Sequence, residues 1–454
     1  MKIDILTFYI HSYFWLILIG IVLVLFFLLI CSKPNIFLPL LTFIVFFQYI
    51  GYNTPYQRYL VIWDDILIFI FIFLVFIYRL TVGKIRTSPF DKYIFVFFLI
   101  CIISMFLNKS QILPSLWGIK NYFQYILFFY CIINIELKKE TIKKILDTIT
   151  IVFILQIFII IYQIYSSREL NVDSIYGTFP GANTLSYVTL YPIFLLIGKN
   201  DFKFKNIIDR FMFLYLLFLL IIGQGRLGIL LFLLILLYIY RKQILVQFET
   251  KGFKFIIIFL IFFVGIVVYF YFTQKDLNRL LRHFDIFYQF TKAEFDVSSG
   301  SQRYLYYPLT WKILKDNGVL NLLFGLGPGM YGSFAGFKFM TPYTRYLSNV
   351  FGQIDRGFDP YVSSQVIPIW GETGFLGLIF YFLLLYKIFK FAFISYKSYN
   401  NEPLIKSLSC ALIAGSFLMI IGSFFQQVFE TQVLAYPYWL ITGLLLKLMR
   451  EKTV

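Results

Sequence analysis

Phe14–Ile30 reads FWLILIGIVLVLFFLLI and Phe255–Phe272 reads FIIIFLIFFVGIVVYFYF, two runs without a single charge. A helix needs roughly 20 apolar residues to cross a hydrocarbon core about 30 Å thick, whereas helices of water-soluble cores alternate polar and apolar faces. Runs of this kind recur along the chain. Of its 454 residues 60% are hydrophobic and 14% charged, which excludes an ordinary soluble domain. The first run is too long for a signal-peptide core and lacks a small-residue cleavage site, so it reads as a retained span.

Working outward from these two runs, the pattern predicts an all-α polytopic membrane protein with 12–13 transmembrane helices. Thirteen spans fall near residues 13–30, 36–50, 59–78, 93–107, 117–135, 145–165, 184–198, 207–222, 227–245, 253–272, 366–386, 407–425 and 431–448. The chain divides accordingly into an N-terminal bundle of about ten spans (1–272), a cap loop (273–365) and three C-terminal spans (366–454).

The formal charge of +17 reflects 40 Lys and Arg against 23 Asp and Glu. These cations do not form the basic stripe of a nucleic-acid surface, so no nucleic-acid partner is expected. They sit in short linkers. With alternate linkers assigned to one side, 24 of the 40 fall there, six on the other side and ten in the long segment. Short basic linkers stay in the cytoplasm, and long loops are exempt from that rule. The C-terminus is therefore expected inside and the long segment outside. The basic side also suits anionic lipid headgroups. The four cysteines lie in or beside apolar runs without metal-ligand spacing, so neither a disulfide framework nor a metal site is implied.

A connection of this length is either functional or disordered. Its many aromatic residues, from Tyr304 and Trp311 to Tyr346, argue for a folded cap. Within it, Ser301–Asp316 reads as a helix in which Pro308 is a candidate kink, stopped by Asn317 and Gly318. Gly325, Gly327, Pro328 and Gly329 then permit close backbone approach and positive φ, suited either to a bend or to contact with a ligand.

Candidate chemistry lies at the outer ends of spans. Spans 8 and 9 are short and meet at Gly223–Gly228, which puts Arg226 just below the headgroup level; it is either a functional group or a snorkelling anchor. Asp64 and Asp65, early in span 3, and Glu372, six residues into span 11, fall at the same depth. Capping of the helix dipole is the alternative for all three. Arg303 opens the cap helix, and two guanidinium groups suit a pyrophosphate. His283 is the one histidine of the outer segment, either a base or part of a charged surface helix. No ionisable residue falls at mid-span, which weighs against a flippase or permease, since carriers place charges near the midplane.

Taken together, Gly177, Pro180 and Asn183 before span 7, Gly225 and Arg226 at the tip, Arg303 and Trp311 before Phe324–Gly329, and Glu372, Gly374 and Gly377 opening span 11 follow a recognisable order. In that order and on that topology the chain resembles the Wzy and O-antigen ligase superfamily of bacterial envelope glycan enzymes. The resemblance implies a polysaccharide polymerase of the bacterial cytoplasmic membrane, using undecaprenyl-diphosphate-linked oligosaccharide on the outer face without metal or cofactor. It also implies pathway partners such as a chain-length regulator and a flippase. Ligases of the superfamily carry a histidine nine residues before the glutamate matching Glu372; here Ser363 stands there, which favours polymerase over ligase. The expected roles are pyrophosphate binding by Arg226 and Arg303, and proton acceptance by Glu372, with Asp359 and His283 in reserve. Asp64, Asp65, Asn183, Tyr304, Trp311 and Gly327 are the further candidates for substrate contact.

Overall fold

The computed structural model describes residues 34–47, 57–83, 85–166, 175–201, 204, 206–223, 225–241, 302–351, 362, 364–399 and 401–453. These residues contain fifteen helices and no strand: α1 (Pro34–Phe47), α2 (Gln57–Val82), α3 (Asp91–Leu107), α4 (Ile112–Asn134), α5 (Lys139–Ser166), α6 (Ala182–Asn200), α7 (Ile207–Ile222), α8 (226–241), α9 (Gln302–Asp316), α10 (Val319–Phe324), α11 (Phe334–Phe339), α12 (Pro342–Phe351), α13 (Val366–Ser398), α14 (Pro403–Gly422) and α15 (Gln432–Thr453). Expected spans 1 and 10 lie outside the described residues.

The protein is an all-helical membrane protein. Among the described residues five helices, in α2, α5, α13, α14 and α15, are long and apolar enough to cross a bilayer. The perimeter carries large apolar side chains turned outward, with Phe106, Phe158 and Phe211 each about two-thirds exposed. Water would penalise such a surface and lipid would not. By the same length and apolarity, fewer helices qualify than the expected spans that fall on the described residues. α1, α3 and α7 have only 14, 17 and 16 residues. α4 and α6 are long enough but interrupt their apolar sequence with Lys120, Asn121 and Gln124, or Asn183, Thr184, Ser186 and Thr189.

The centre is built from α6, α14 and α15. Helices in lipid associate through close packing of small residues rather than by excluding water, and α14 brings Ser407, Cys410, Ala411, Ala414 and Gly415 into the buried interior. A Cβ on Gly198 of α6 would lie 2.7 Å from the Ser407 Cα. The Ser407 hydroxyl donates to the Leu195 carbonyl at 2.6 Å. Aromatic rings fill the rest, as where Tyr436 stacks on Phe128 at 5.0 Å.

The bundle has two chemically distinct ends. At the basic end, the Arg86 backbone N–H donates to Asn134 Oδ1 at 2.8 Å, Lys447 donates to the Ile135 carbonyl and Arg450 to that of Thr87. Lys406 pairs with Asp201 at 2.9 Å, and Lys452 pairs with Glu402. The opposite end gathers the starts of α2, α4, α6, α13 and α15, the ends of α3 and α14, and the helices α9–α12. The expected cap helix is present as α9, with Pro308 inside it, and Gly318 stops it at φ +101°.

Candidate functional site

The site is organised by a break in α13. Gly374 sits at φ 67°, ψ −168°, so the helix stops and restarts there. A broken helix leaves carbonyls without their usual N–H partners, and at membrane depth such groups must be satisfied by protein. The glycine loop 325–332 does this. Leu326 N–H donates to the Gly371 carbonyl at 2.8 Å and Gly327 N–H to that of Glu372 at 3.0 Å, while Ser104 Oγ donates to the same Glu372 carbonyl at 2.7 Å.

Glu372 lies just before the break and is fully buried. Its Oε2 accepts from the Tyr122 hydroxyl and from Gly329 N–H, both at 2.7 Å, and its Oε1 accepts from Tyr331 N–H at 3.1 Å. The carboxylate thus pins the loop to α13 and α4. Gly325, Gly327 and Gly329 have φ of 76°, 105° and 71°. What approaches them closely is the protein itself: an added Cβ would lie 2.0 Å from Ser110 Oγ at Gly327 and 2.1 Å from the Pro114 carbonyl at Gly329.

Asp65 belongs to a separate cluster. It accepts from Lys120 and Gln124 at 2.5 Å each and from Gln432 at 3.0 Å. Successive helical residues are turned by 100°, so Lys120 and Gln124 share a face of α4 while Tyr122, between them, points almost oppositely. Asp65 and Glu372 therefore lie on opposite sides of α4. The dipole-capping alternative fails for both, because neither α2 nor α13 has an acid in its first turn.

The Lys120 ammonium also lies 5.2 Å from the Trp117 ring centre, and Lys338, reaching in from α11, lies 3.4 Å from the same ring. Two cations share one indole, and a single carboxylate bonds one of them. Burial and the nearby Lys120 charge lower the Lys338 pKa, against the opposing pull of Asp65. The pair carries an excess of positive charge next to the half-buried edge of the bundle.

A third carboxyl, Glu430, was not among the residues singled out from the sequence. It sits in the turn between α14 and α15, about nine-tenths buried. Phe334 N–H donates to Oε2 at 2.8 Å, while Oε1 has no partner of ordinary geometry. Burial and the charge of Glu372 push its pKa up to about 8, against the pull of Phe334 N–H and the amides of Gln365 and Asn121. Its sequence signal was slight: a lone acid in the polar stretch Gln426–Gln432 between two apolar spans. Lys120 had a clearer one, as a cation inside an otherwise uncharged span.

No family model matches this chain, and no curated protein does.

The other expected site residues are dispersed. Arg226 is exposed at the first position of α8, beside Gly225 and Gly228, which pack on Ser186 of α6. Asn183 is exposed one turn from Ser186. Gln426 of the α14–α15 turn donates to Thr184 at 3.0 Å and so ties this corner to Glu430's turn. Trp311 is 42% exposed and packs its ring near Trp370 and Phe375 at 6.3 and 6.0 Å. His283, Asp359 and Ser363, and the side chains of Asp64, Arg303 and Tyr304, lie outside the described residues. No group of three or more His, Cys, Asp or Glu able to hold a metal occurs among the described residues.

The raised Glu430 pKa has a measurable consequence. A carboxyl whose folded pKa exceeds its unfolded value favours folding while protonated, and that contribution is lost as pH rises from about 4.5 to about 8. Glu430→Gln mimics the protonated form. Its melting temperature is expected to match wild type near pH 5 and to exceed it above pH 8; a difference independent of pH would show that Glu430 carries no such proton.

Proposed function

We propose that this protein is a membrane glycosyltransferase that joins undecaprenyl-diphosphate-linked oligosaccharide units into a surface polysaccharide. In this reading the thirteen-span topology holds, and the glycine-loop end faces outward from the bacterial cytoplasmic membrane. The observation that carries it is that Lys338, Lys120 and the buried carboxyl of Glu430 lie at the same end of the bundle as a loop locked into a broken helix. The order of Arg226, the Phe324–Gly329 run and Glu372 along the chain supports it further.

Transfer from a polyprenyl diphosphate needs two things. The bond between the anomeric carbon and the diphosphate oxygen breaks, and the negative charge left on the diphosphate must be stabilised. Lys338 and Lys120 supply that positive charge, with Arg226, whose guanidinium adds to the positive end of the α8 dipole, and Arg303. The acceptor hydroxyl attacks the anomeric carbon and gives up its proton to a base within hydrogen-bond reach. Glu372 has both oxygens filled by the loop and Tyr122, so its part here is to position the loop. Glu430, whose Oε1 makes no hydrogen bond of ordinary geometry, is the carboxyl assigned to receive the proton, in the ionised form that its raised pKa makes the minor one at neutral pH; Asp359 and His283 are the alternatives the sequence offers. Trp311 offers an exposed ring on which a sugar can stack.

Purified protein in vesicles, given lipid-linked repeat units, is expected to produce a ladder of whole-repeat multiples on the same carrier lipid. A folded preparation that forms no glycosidic bond overturns the proposal. Arg226→Ala is expected to abolish polymer with protein still in the membrane, and Lys338→Ala to slow it by roughly 10²-fold, the scale for losing one charge-stabilising donor.

A further inference from the structure

At the basic end, α2 and α4 enclose a cavity of about 190 Å³ walled by Ile72, Phe76, Ile85, Leu127 and Cys131, with the side chain of Arg79 among them. Phe76, Ile85 and Leu127 are each well exposed on the perimeter, so the cleft opens toward lipid. The other polar groups on its wall are engaged. Asn134 accepts from the Arg86 backbone N–H, and Tyr130 donates to Asp91 at 2.5 Å. Arg79 differs: it is buried, and its Nε and Nη2 have no hydrogen-bond partner.

A guanidinium withdrawn from water without an anion is strongly unfavourable, and charged groups at this depth pair with something. Nearby cations compound the problem rather than relieve it. Lys447 lies within electrostatic reach of Arg79, of Arg86 and of the acids Glu136 and Glu451, and it and Arg86 already donate to backbone carbonyls, of Ile135 and Ile133. The charge missing here is negative, and the cleft beside it is apolar and opens on lipid. We infer that the α2–α4 cleft seats an anionic phospholipid, an acyl chain lying against its apolar wall and the phosphate meeting Arg79. Basic pockets between membrane helices on the cytoplasmic side take such headgroups. This inference is independent of the glycosyltransferase reading.

The test uses the purified full chain and counts retained lipids by native mass spectrometry. Phosphatidylglycerol is expected to be retained about fivefold over phosphatidylcholine, the factor matching roughly 1 kcal/mol per basic residue at an anionic surface. Arg79→Gln should erase that preference. Leu127→Trp, which fills the cleft and leaves the cation, should reduce retention of both lipids. Glycerol phosphate in solution should not compete; displacement by it would assign Arg79 to a free anion and overturn the lipid site. Equal retention of the two lipids by the wild type, or an unchanged preference in Arg79→Gln, also overturns it. If Arg79→Gln does not accumulate, Leu127→Trp decides alone: undiminished lipid adducts there reject the cleft.

Discussion

Glu372→Ala is expected to lower the unfolding free energy by about 3–9 kcal/mol, because three buried donors lose their acceptor at roughly 1–3 kcal/mol each. Those donors are the Tyr122 hydroxyl and the backbone N–H groups of Gly329 and Tyr331. None has water to turn to, since Gly329 and Tyr331 are buried and Tyr122 is 1% exposed. Thermal unfolding in detergent should show a fall on the order of 10 °C. Limited proteolysis should open the chain first around residues 325–332. A variant that melts with the wild type would mean that the loop holds itself in place without the carboxylate.

Glu372→Gln separates two roles for this residue. A clasp needs acceptors, and the amide keeps one oxygen while turning an NH2 group toward the donors that the second oxygen served. Stability should fall by less than in the alanine variant, and activity should fall in step with the folded fraction. A base fails differently. Glu372→Gln protein that is fully folded and wholly inactive would return Glu372 to the chemistry and displace Glu430.

Position along the bundle was legible in the sequence, because counting residues from the start of an apolar run measures it. Asp65 and Glu372 do lie toward the same end of the bundle. Azimuth was not legible. Whether two carboxyls at one depth meet depends on which faces their helices turn to each other, and here α4 stands between them, holding one through Lys120 and Gln124 and the other through Tyr122. The glycines of the loop were equally ambiguous, since positive φ and close approach are required whether the neighbour is a ligand or another backbone. What decided the matter was Glu372, about forty residues further on.

Helix α13 continues past the expected span end at residue 386 to Ser398, so Lys387, Lys390 and Lys397, expected in a linker, are carried on helix. Lysines need not end a helix. Their long stems lie over aromatic rings, with the Lys387 ammonium 5.3 Å from the Tyr93 ring centre and that of Lys397 4.2 Å from Phe393. Glu430 escaped notice because its environment comes from three separate segments, those holding Phe334, Gln365 with Glu372, and Asn121, and none is near it in sequence.

Gly325→Ala and Gly374→Ala are each expected to destabilise the protein by about 2–5 kcal/mol, from roughly 1–2 for a positive φ and 1–3 for overpacking. The two glycines serve one contact from its two sides. A Cβ on Gly325 would lie 2.3 Å from the Glu372 carbonyl carbon, and a Cβ on Gly374 would lie 2.3 Å from that of Leu323. Both obstacles are backbone and cannot rotate away, so the glycine loop and the α13 break must separate. Separation also strips the Gly371 and Glu372 carbonyls of the N–H groups of Leu326 and Gly327. Once one alanine has forced the backbones apart, the second meets open space and loses only its own conformational preference. The double variant should therefore fall well short of the sum of the singles, as coupled neighbours do. Strict additivity in thermal or denaturant unfolding, or a Gly374→Ala protein as stable as wild type, would mean that the loop does not lock into the broken helix as described.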